Sequence, residues 1–177
     1  MSHFKSIIIA VASMVSGCSS QQPMTTVEYV DVERFMGDWY VIANIPTYFE
    51  KDAYNPLESY RLDTDGSIAT TFSFNAGSFE GEKKVYRPRA FITDSTTNAV
   101  WGMQFIWPIK ADYRIAYLDE DYQTTVIGRN NLDYVWIMSR SPQMSEQRYA
   151  ELTRFVGALG YDPALLIKAQ HQPATSP

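Results

Sequence analysis

Along most of the chain apolar and polar residues alternate in short runs, and turn-forming residues punctuate them about every 8–14 positions. A period of two marks strands that bury one face. The pattern predicts strands over Trp39–Ile45, Leu57–Leu62, Ser67–Phe74, Lys83–Ile92, Val100–Ile106, Tyr113–Tyr117, Tyr122–Gly128 and Tyr134–Arg140. Between them stand Asp65-Gly66, Asn75-Ala76-Gly77, Asn98, Asp119-Glu120-Asp121 and Asn130-Asn131. These residues accept positive φ or bond their own backbone. Asp65-Gly66, flanked by two β-rich runs, is the strongest hairpin signal. Eight strands in hairpin succession form a meander, and closing it removes the exposed edges.

A helical period appears only afterwards. Ser145 is placed to cap a helix reaching about Gly157, with Tyr149, Leu152, Phe155, Val156 and Leu159 at helical spacing and Gly160 as its stop. Asp162-Pro163 reads as the cap and first position of a short second helix through Lys168. The expected fold is all-β: an eight-stranded antiparallel up-and-down barrel with a C-terminal α-helix packed outside.

The N-terminus has a different pattern. Met1–Ser6 carries Lys5, Ile7–Val15 is apolar, and Val15-Ser16-Gly17-Cys18 follows. The apolar run is far shorter than the roughly 20 residues that span a bilayer, and it has the tripartite form of a secretory signal. Cys18 is the only cysteine, so no internal disulfide is available and the core alone must hold the fold. The expected organisation is a signal over 1–17, a tether over 18–28, the barrel and helix over 29–172, and a tail over 173–177. The full chain carries a net charge of −5, and removing Lys5 with the signal makes it −6. Such a surface repels phosphate backbones, which argues against nucleic acid, and any membrane attachment must come from something other than a basic patch.

Three segments carry a family resemblance: Gly37-Asp38-Trp39-Tyr40, then Tyr117-Leu118-Asp119-Glu120-Asp121-Tyr122, then Tyr134-Val135-Trp136-Ile137-Met138-Ser139-Arg140. In this order and spacing they resemble the three signature regions of the lipocalins, and their detail is most similar to the bacterial outer-membrane lipocalins and their apolipoprotein D-like relatives. Val15-Ser16-Gly17-Cys18 likewise resembles the bacterial lipoprotein signal, with Val15 in place of the usual Leu. The likeness implies cleavage before Cys18, attachment of acyl chains such as palmitate to it, and, with Ser19 following, sorting to the outer membrane with the domain facing the periplasm. It also implies structural roles for Gly37, Trp39, Asp121, Tyr122 and Arg140, with Arg140 packing across Trp39 to close the barrel end.

An eight-stranded barrel has room inside for one small ligand. Period-two alternation nominates Phe72, Phe105, Tyr113, Trp136 and Met138 as ligand-facing. A one-residue slip in any strand would reverse its list. The lining suits a fatty acid or lysophospholipid, with apolar walls for the tail; Arg87 and Arg89 are candidates for the head group, although isolated arginines on strands are more often simply solvated.

Enzymatic chemistry has little to stand on. The only histidines are His3 and His171, so neither a Ser-His-Asp arrangement nor a histidine metal site can be assembled within the barrel. No phosphate-cradling glycine loop is present, and acids such as Asp63, Asp65, Asp119 and Asp121 fall at turns. Neither a cofactor nor a metal is expected. Two other classes stay open: an envelope lipoprotein acting through protein contacts, and a haem-type binder using Met103, Met138 or a tyrosine. A homodimer is also left open.

Overall fold

The computed structural model describes residues 23–48 and 50–172. The signal segment, Cys18 and the tail from 173 lie outside the described residues.

Strand β1 spans Gly37–Ile45, β2 Ala53–Leu62, β3 Ile68–Ala76, β4 Lys83–Tyr86, β5 Arg89–Ile92, β6 Val100–Ile106, β7 Ile109–Leu118, β8 Thr124–Gly128 and β9 Val135–Ser139. Each strand pairs antiparallel with its neighbour, and β1 pairs with β9 from Tyr40↔Ser139 to Ile45↔Val135, which closes the sheet on itself. The protein is a closed eight-stranded antiparallel barrel in which β4 and β5 together occupy one strand position. In β3, Ile68, Thr70, Phe72 and Phe74 point inward and are buried, while their sequence neighbours are half-buried outside. All five residues of β8 are buried, because its outer face lies under a helix.

That helix, α2, spans Glu146–Ala158; a short helix, α1, spans Val32–Phe35 before the barrel. Ser145 caps α2 by accepting from the Arg148 N–H. Leu152, Val156 and Tyr161 pack on Ile42, Val126, Val135 and Ile137, forming an outer core separate from the one inside the barrel. The Asp65-Gly66 hairpin forms as the turn residues dictate: Gly66 has φ +80°, and the Asp65 carboxylate accepts from the Ser67 N–H.

Two elements differ from expectation. The run Lys83–Ile92 is two strands, broken at Arg87-Pro88. Pro88 has no N–H for a ladder, and its carbonyl instead accepts from the Thr70 N–H. The second helix is a single 3₁₀ turn, Pro163–Leu165, capped by Asp162. The chain then extends into β10, Ile167–Lys168, which pairs with β1, and Ala169 donates to the Ile42 carbonyl. Backbone groups of β1 beside the irregularity between Val41 and Ala43 recruit this strand, so tertiary pairing outweighs the local helix signal.

A closed floor and an apolar cavity

One end of the barrel is sealed. Trp39 is fully buried and donates its indole N–H to the Phe35 carbonyl at 2.9 Å. The Arg140 guanidinium lies 3.8 Å from the Trp39 ring centroid. Its nitrogens donate to five backbone carbonyls, those of Arg34, Phe35, Met36, Asp38 and Tyr122, at 2.8–3.3 Å. One planar fork thus ties α1, the start of β1 and the turn between β7 and β8 together. Gly37 has φ +94°, and a Cβ there would stand 3.3 Å from Arg140 Nη1. Close approach and backbone conformation both demand glycine. Tyr122 accepts from the Asp31 N–H at 2.9 Å and lies under the Arg34 guanidinium at 4.0 Å. Asp121 takes part through its backbone, its carbonyl accepting from Gln123 Nε2. Asp119 shapes the turn, accepting from the N–H groups of Gln123 and Thr124. The Asp119 carboxylate is thus engaged by the turn.

Above this floor the barrel encloses a cavity of about 540 Å³, within the usual range for small-ligand sites. Its other end is bounded by the segments joining β1 to β2 and β8 to β9, which contribute Thr47, Tyr48, Arg129 and Tyr134 to the lining, and by Phe105 and Ile106 at the end of β6. All five residues nominated from alternation, Phe72, Phe105, Tyr113, Trp136 and Met138, line it. They sit at different depths. Met138 is 1 % exposed, whereas Phe105 is 61 % exposed at the lip. Trp101 and Phe74 point inward but belong to the packing: Trp101 stacks on Tyr113 at 5.2 Å, and Phe74 packs on Phe72 at 5.3 Å.

The two arginines separate. Arg89 is no head-group ligand: it pairs with Asp63 at 2.9 Å and bonds Ser67 at the hairpin between β2 and β3. Arg87 lines the cavity from the break between β4 and β5. Arg129, which the sequence reading passed over, lines it from the end of β8, pairs with Asp133 at 3.3 Å and lies 5.4 Å over the Tyr134 ring.

The sequence reading also missed two acids. Glu50 accepts from the Thr47 N–H at 2.8 Å, and from Asn44 Nδ2 and the Trp136 indole N–H at 3.3 Å each. Burial raises its pKa, and these hydrogen bonds offset part of the rise. Glu58 lies deeper, in register with Trp39 on one side and Phe72 on the other. Its Oε2 has no hydrogen-bond partner, and Tyr60 is the neighbour its carboxyl engages. Burial first, then the nearby Glu50 charge, pushes the Glu58 pKa well above the usual carboxylate range. The Tyr60 and Tyr113 hydroxyls share a 2.7 Å hydrogen bond beside it. The available signal was the alternation of Glu58 with Tyr60 in β2, which places both on the inner face. Leu57 on the outer face obscured it.

No group of three or more His, Cys, Asp or Glu side chains suited to a metal occurs among the described residues. His171 is half-buried against β1, its Nε2 2.8 Å from the Val41 carbonyl, with its pKa lowered by burial.

Comparison with known proteins places these features. A family model described as a lipocalin-like domain matches residues 30–171. Temperature-induced lipocalin-1 of Arabidopsis thaliana is 32 % identical over 159 residues, covering 85 % of this chain and 84 % of the plant protein. The outer membrane lipoprotein Blc of Escherichia coli K12 is 28 % identical over 165 residues, covering 90 % of this chain and 91 % of that one. Bovine apolipoprotein D is 29 % identical over 124 residues, 66 % of this chain and 64 % of its own. Among solved structures, insecticyanin of the tobacco hornworm superposes with a TM-score of 0.68 at 16 % identity, covering 86 % of this chain and 87 % of that one, a likeness of fold.

Proposed function

The chain belongs to the lipocalin family, and from that premise we propose that it is a membrane-anchored carrier that takes a fatty acid or lysophospholipid into its barrel. Lipocalins are binding proteins and not enzymes, and binding of a small hydrophobic ligand follows from the family. The single-chain lipid is the finer reading, and the observation that carries it is the cavity itself: about 540 Å³, walled by Phe72, Tyr86, Met103, Tyr113, Trp136 and Met138. Burying an acyl chain there gains about 25 cal/mol per Å² of apolar surface, less the cost of association. In this reading the tail lies inward and the anionic head stays toward Arg87 or Arg129, the two guanidinium groups in the lining.

Attachment through acylated Cys18 at the outer membrane, the domain facing the periplasm, completes the proposal. Several acyl chains anchor stably where one does not. Met24 donates to Asn130 Oδ1 at 2.8 Å, so the described chain begins beside the β8–β9 connection, at the open end. Four residues stand between Cys18 and Pro23, and the five steps between them reach at most about 18 Å. An anchor at Cys18 therefore holds the mouth, rather than the sealed floor, near the bilayer.

The test is a titration of delipidated protein with oleate and lysophospholipid, followed by intrinsic Trp fluorescence, in the wild type and in Trp136→Ala. Saturation at micromolar lipid that weakens about tenfold or more in the variant is the expected result. No response to either lipid in folded protein overturns the reading.

One observation favours a second reading, an envelope protein working through contacts. Phe105, Ile106, Trp107 and Ile109, at the tip joining β6 to β7, are 61–82 % exposed. An apolar tip of this kind marks a contact surface. Retained lipid binding with slower lipid exchange from vesicles in Trp107→Ser assigns the tip to the carrier role. Unchanged exchange favours protein contacts.

A further inference from the structure

The inner core buries aromatic and aliphatic side chains almost throughout, yet one carboxyl is placed among them. Glu58 lies on the inner face of β2, lines the cavity and leaves Oε2 without a partner. No backbone N–H, arginine or lysine compensates it. Beside it the Tyr60–Tyr113 hydroxyl pair supplies oxygen lone pairs, and Glu50, also in the lining, adds a second acid whose field reaches Glu58. Among the described residues the cavity lining contains no lysine or histidine, and its two arginines stand away from Glu58: Arg129 beside Asp133 at the open end, Arg87 exposed at the strand break. A buried acid with one oxygen unpartnered is a standing cost to the fold, and such sites are candidates for function.

We propose that the cavity floor is a cation-receiving subsite, where the Glu58 carboxylate and the Tyr60 and Tyr113 phenol oxygens hold the ammonium head of a single-chain aliphatic amine that enters head first. The inference goes beyond the fatty-acid reading and shares only its cavity. The chemistry discriminates by sign. An ammonium donates to Glu58 and is attracted by both acids, with aromatic faces around it. A carboxylate or phosphate brought to the same depth meets acids and no cation. An alcohol satisfies the hydrogen bond without the charge.

Occupancy also moves a proton. Burial and the Glu50 charge raise the Glu58 pKa in the empty barrel and so favour its neutral form. When an ammonium arrives, Glu58 ionises, its proton passes to solvent, and a carboxylate–ammonium pair forms. Binding of an already protonated amine therefore releases up to one proton, in proportion to the neutral Glu58 present beforehand.

The experiment is calorimetric titration of the delipidated protein at pH 7.4 with dodecylamine, 1-dodecanol and laurate, in two buffers of different ionisation heat. The expected outcome is dodecylamine binding at least tenfold more tightly than dodecanol, with release of up to one proton. In Glu58→Gln the tenfold preference and the proton release disappear, while dodecanol and laurate bind within threefold of wild type. Dodecylamine binding no better than dodecanol overturns the inference, as does an equal loss for both ligands in the variant. Should Glu58→Gln fail to fold, the wild-type preference for dodecylamine over dodecanol decides, and its absence overturns the inference. Laurate bound without amine preference removes this subsite and leaves the lipid carrier standing. Failure of all three ligands removes both.

Discussion

At the scale of single residues, the protein treats two ionisable groups in opposite ways. Arg140 is fully engaged, with five carbonyls and one indole face, so its removal leaves several acceptors unpaired at the floor. Arg140→Ala is expected to cost about 3–4 kcal/mol in denaturant unfolding, and Lys at this position recovers little because one ammonium cannot replace the fork. Glu58 is under-engaged, and its effect on stability depends on pH. Its folded-state pKa is raised, so the folded protein holds this proton more firmly than the unfolded chain. The stabilisation from that proton is complete below the unfolded value of about 4.3 and is lost as pH rises toward the folded one. Glu58→Gln should therefore raise the melting temperature of the ligand-free protein at pH 7–8 by at least about 2 °C, the shift from roughly 1 kcal/mol in a domain of this size. The gain should shrink toward zero near pH 4. A variant no more stable at pH 8 than at pH 4, each relative to wild type, contradicts this account. Glu50, Tyr60 and Tyr113 are the titratable groups acting on Glu58, and the two phenols stay neutral throughout that range because burial raises their pKa values further.

Among the elements, α2 and the cavity use opposite faces of the same strands. Leu152 is 2 % exposed between α2 and the outer faces of β8, β9 and β1. Leu152→Ala should cost about 2–4 kcal/mol while leaving lipid affinity within twofold at a temperature where the variant is folded, because the cavity lies across the sheet. A large loss of affinity would show that the two faces are coupled. Tyr161 acts as a strap beyond α2. Its hydroxyl lies 2.8 Å from both the Arg129 N–H and the Tyr134 carbonyl, and burial pushes its pKa up to about 12. It therefore holds the β8–β9 connection at the mouth.

For the whole molecule, closure through β1–β9 makes an inner and an outer core from one sheet, with the cavity placed in the inner one. A bound ligand then stabilises the entire barrel by mass action. Oleate at a hundredfold its Kd should add about 2.7 kcal/mol and raise the melting temperature by roughly 5–10 °C. A saturating fluorescence change with no thermal shift would place the lipid outside the barrel.

How much of this was legible in the sequence follows from the range of each interaction. Binary alternation set the strands, and Asp65-Gly66 and Ser145 set their turn and cap, because these are decided within a few residues by backbone stereochemistry and local hydrogen bonds. The family signature around Trp39, Tyr122 and Arg140 was likewise readable, as was the inward face of β3 and β9 and of β7 as far as Ile115, after which a bulge turns Tyr117 outward onto Phe155 of α2. Three features were not. The second helix gave way to β10 because the unpaired backbone of β1 lies far away in sequence. Arg89 proved to be an ion-pair partner because Asp63, 26 residues away, folds back beside it. Glu58 reads as a polar position in any strand, and only barrel closure sets it inside the cavity beside Glu50 and Tyr60. The sequence determined which side chains face inward; the tertiary structure alone decided which of them meet a partner there, since burial, pairing and electrostatic field are properties of assembled surfaces and not of any one segment.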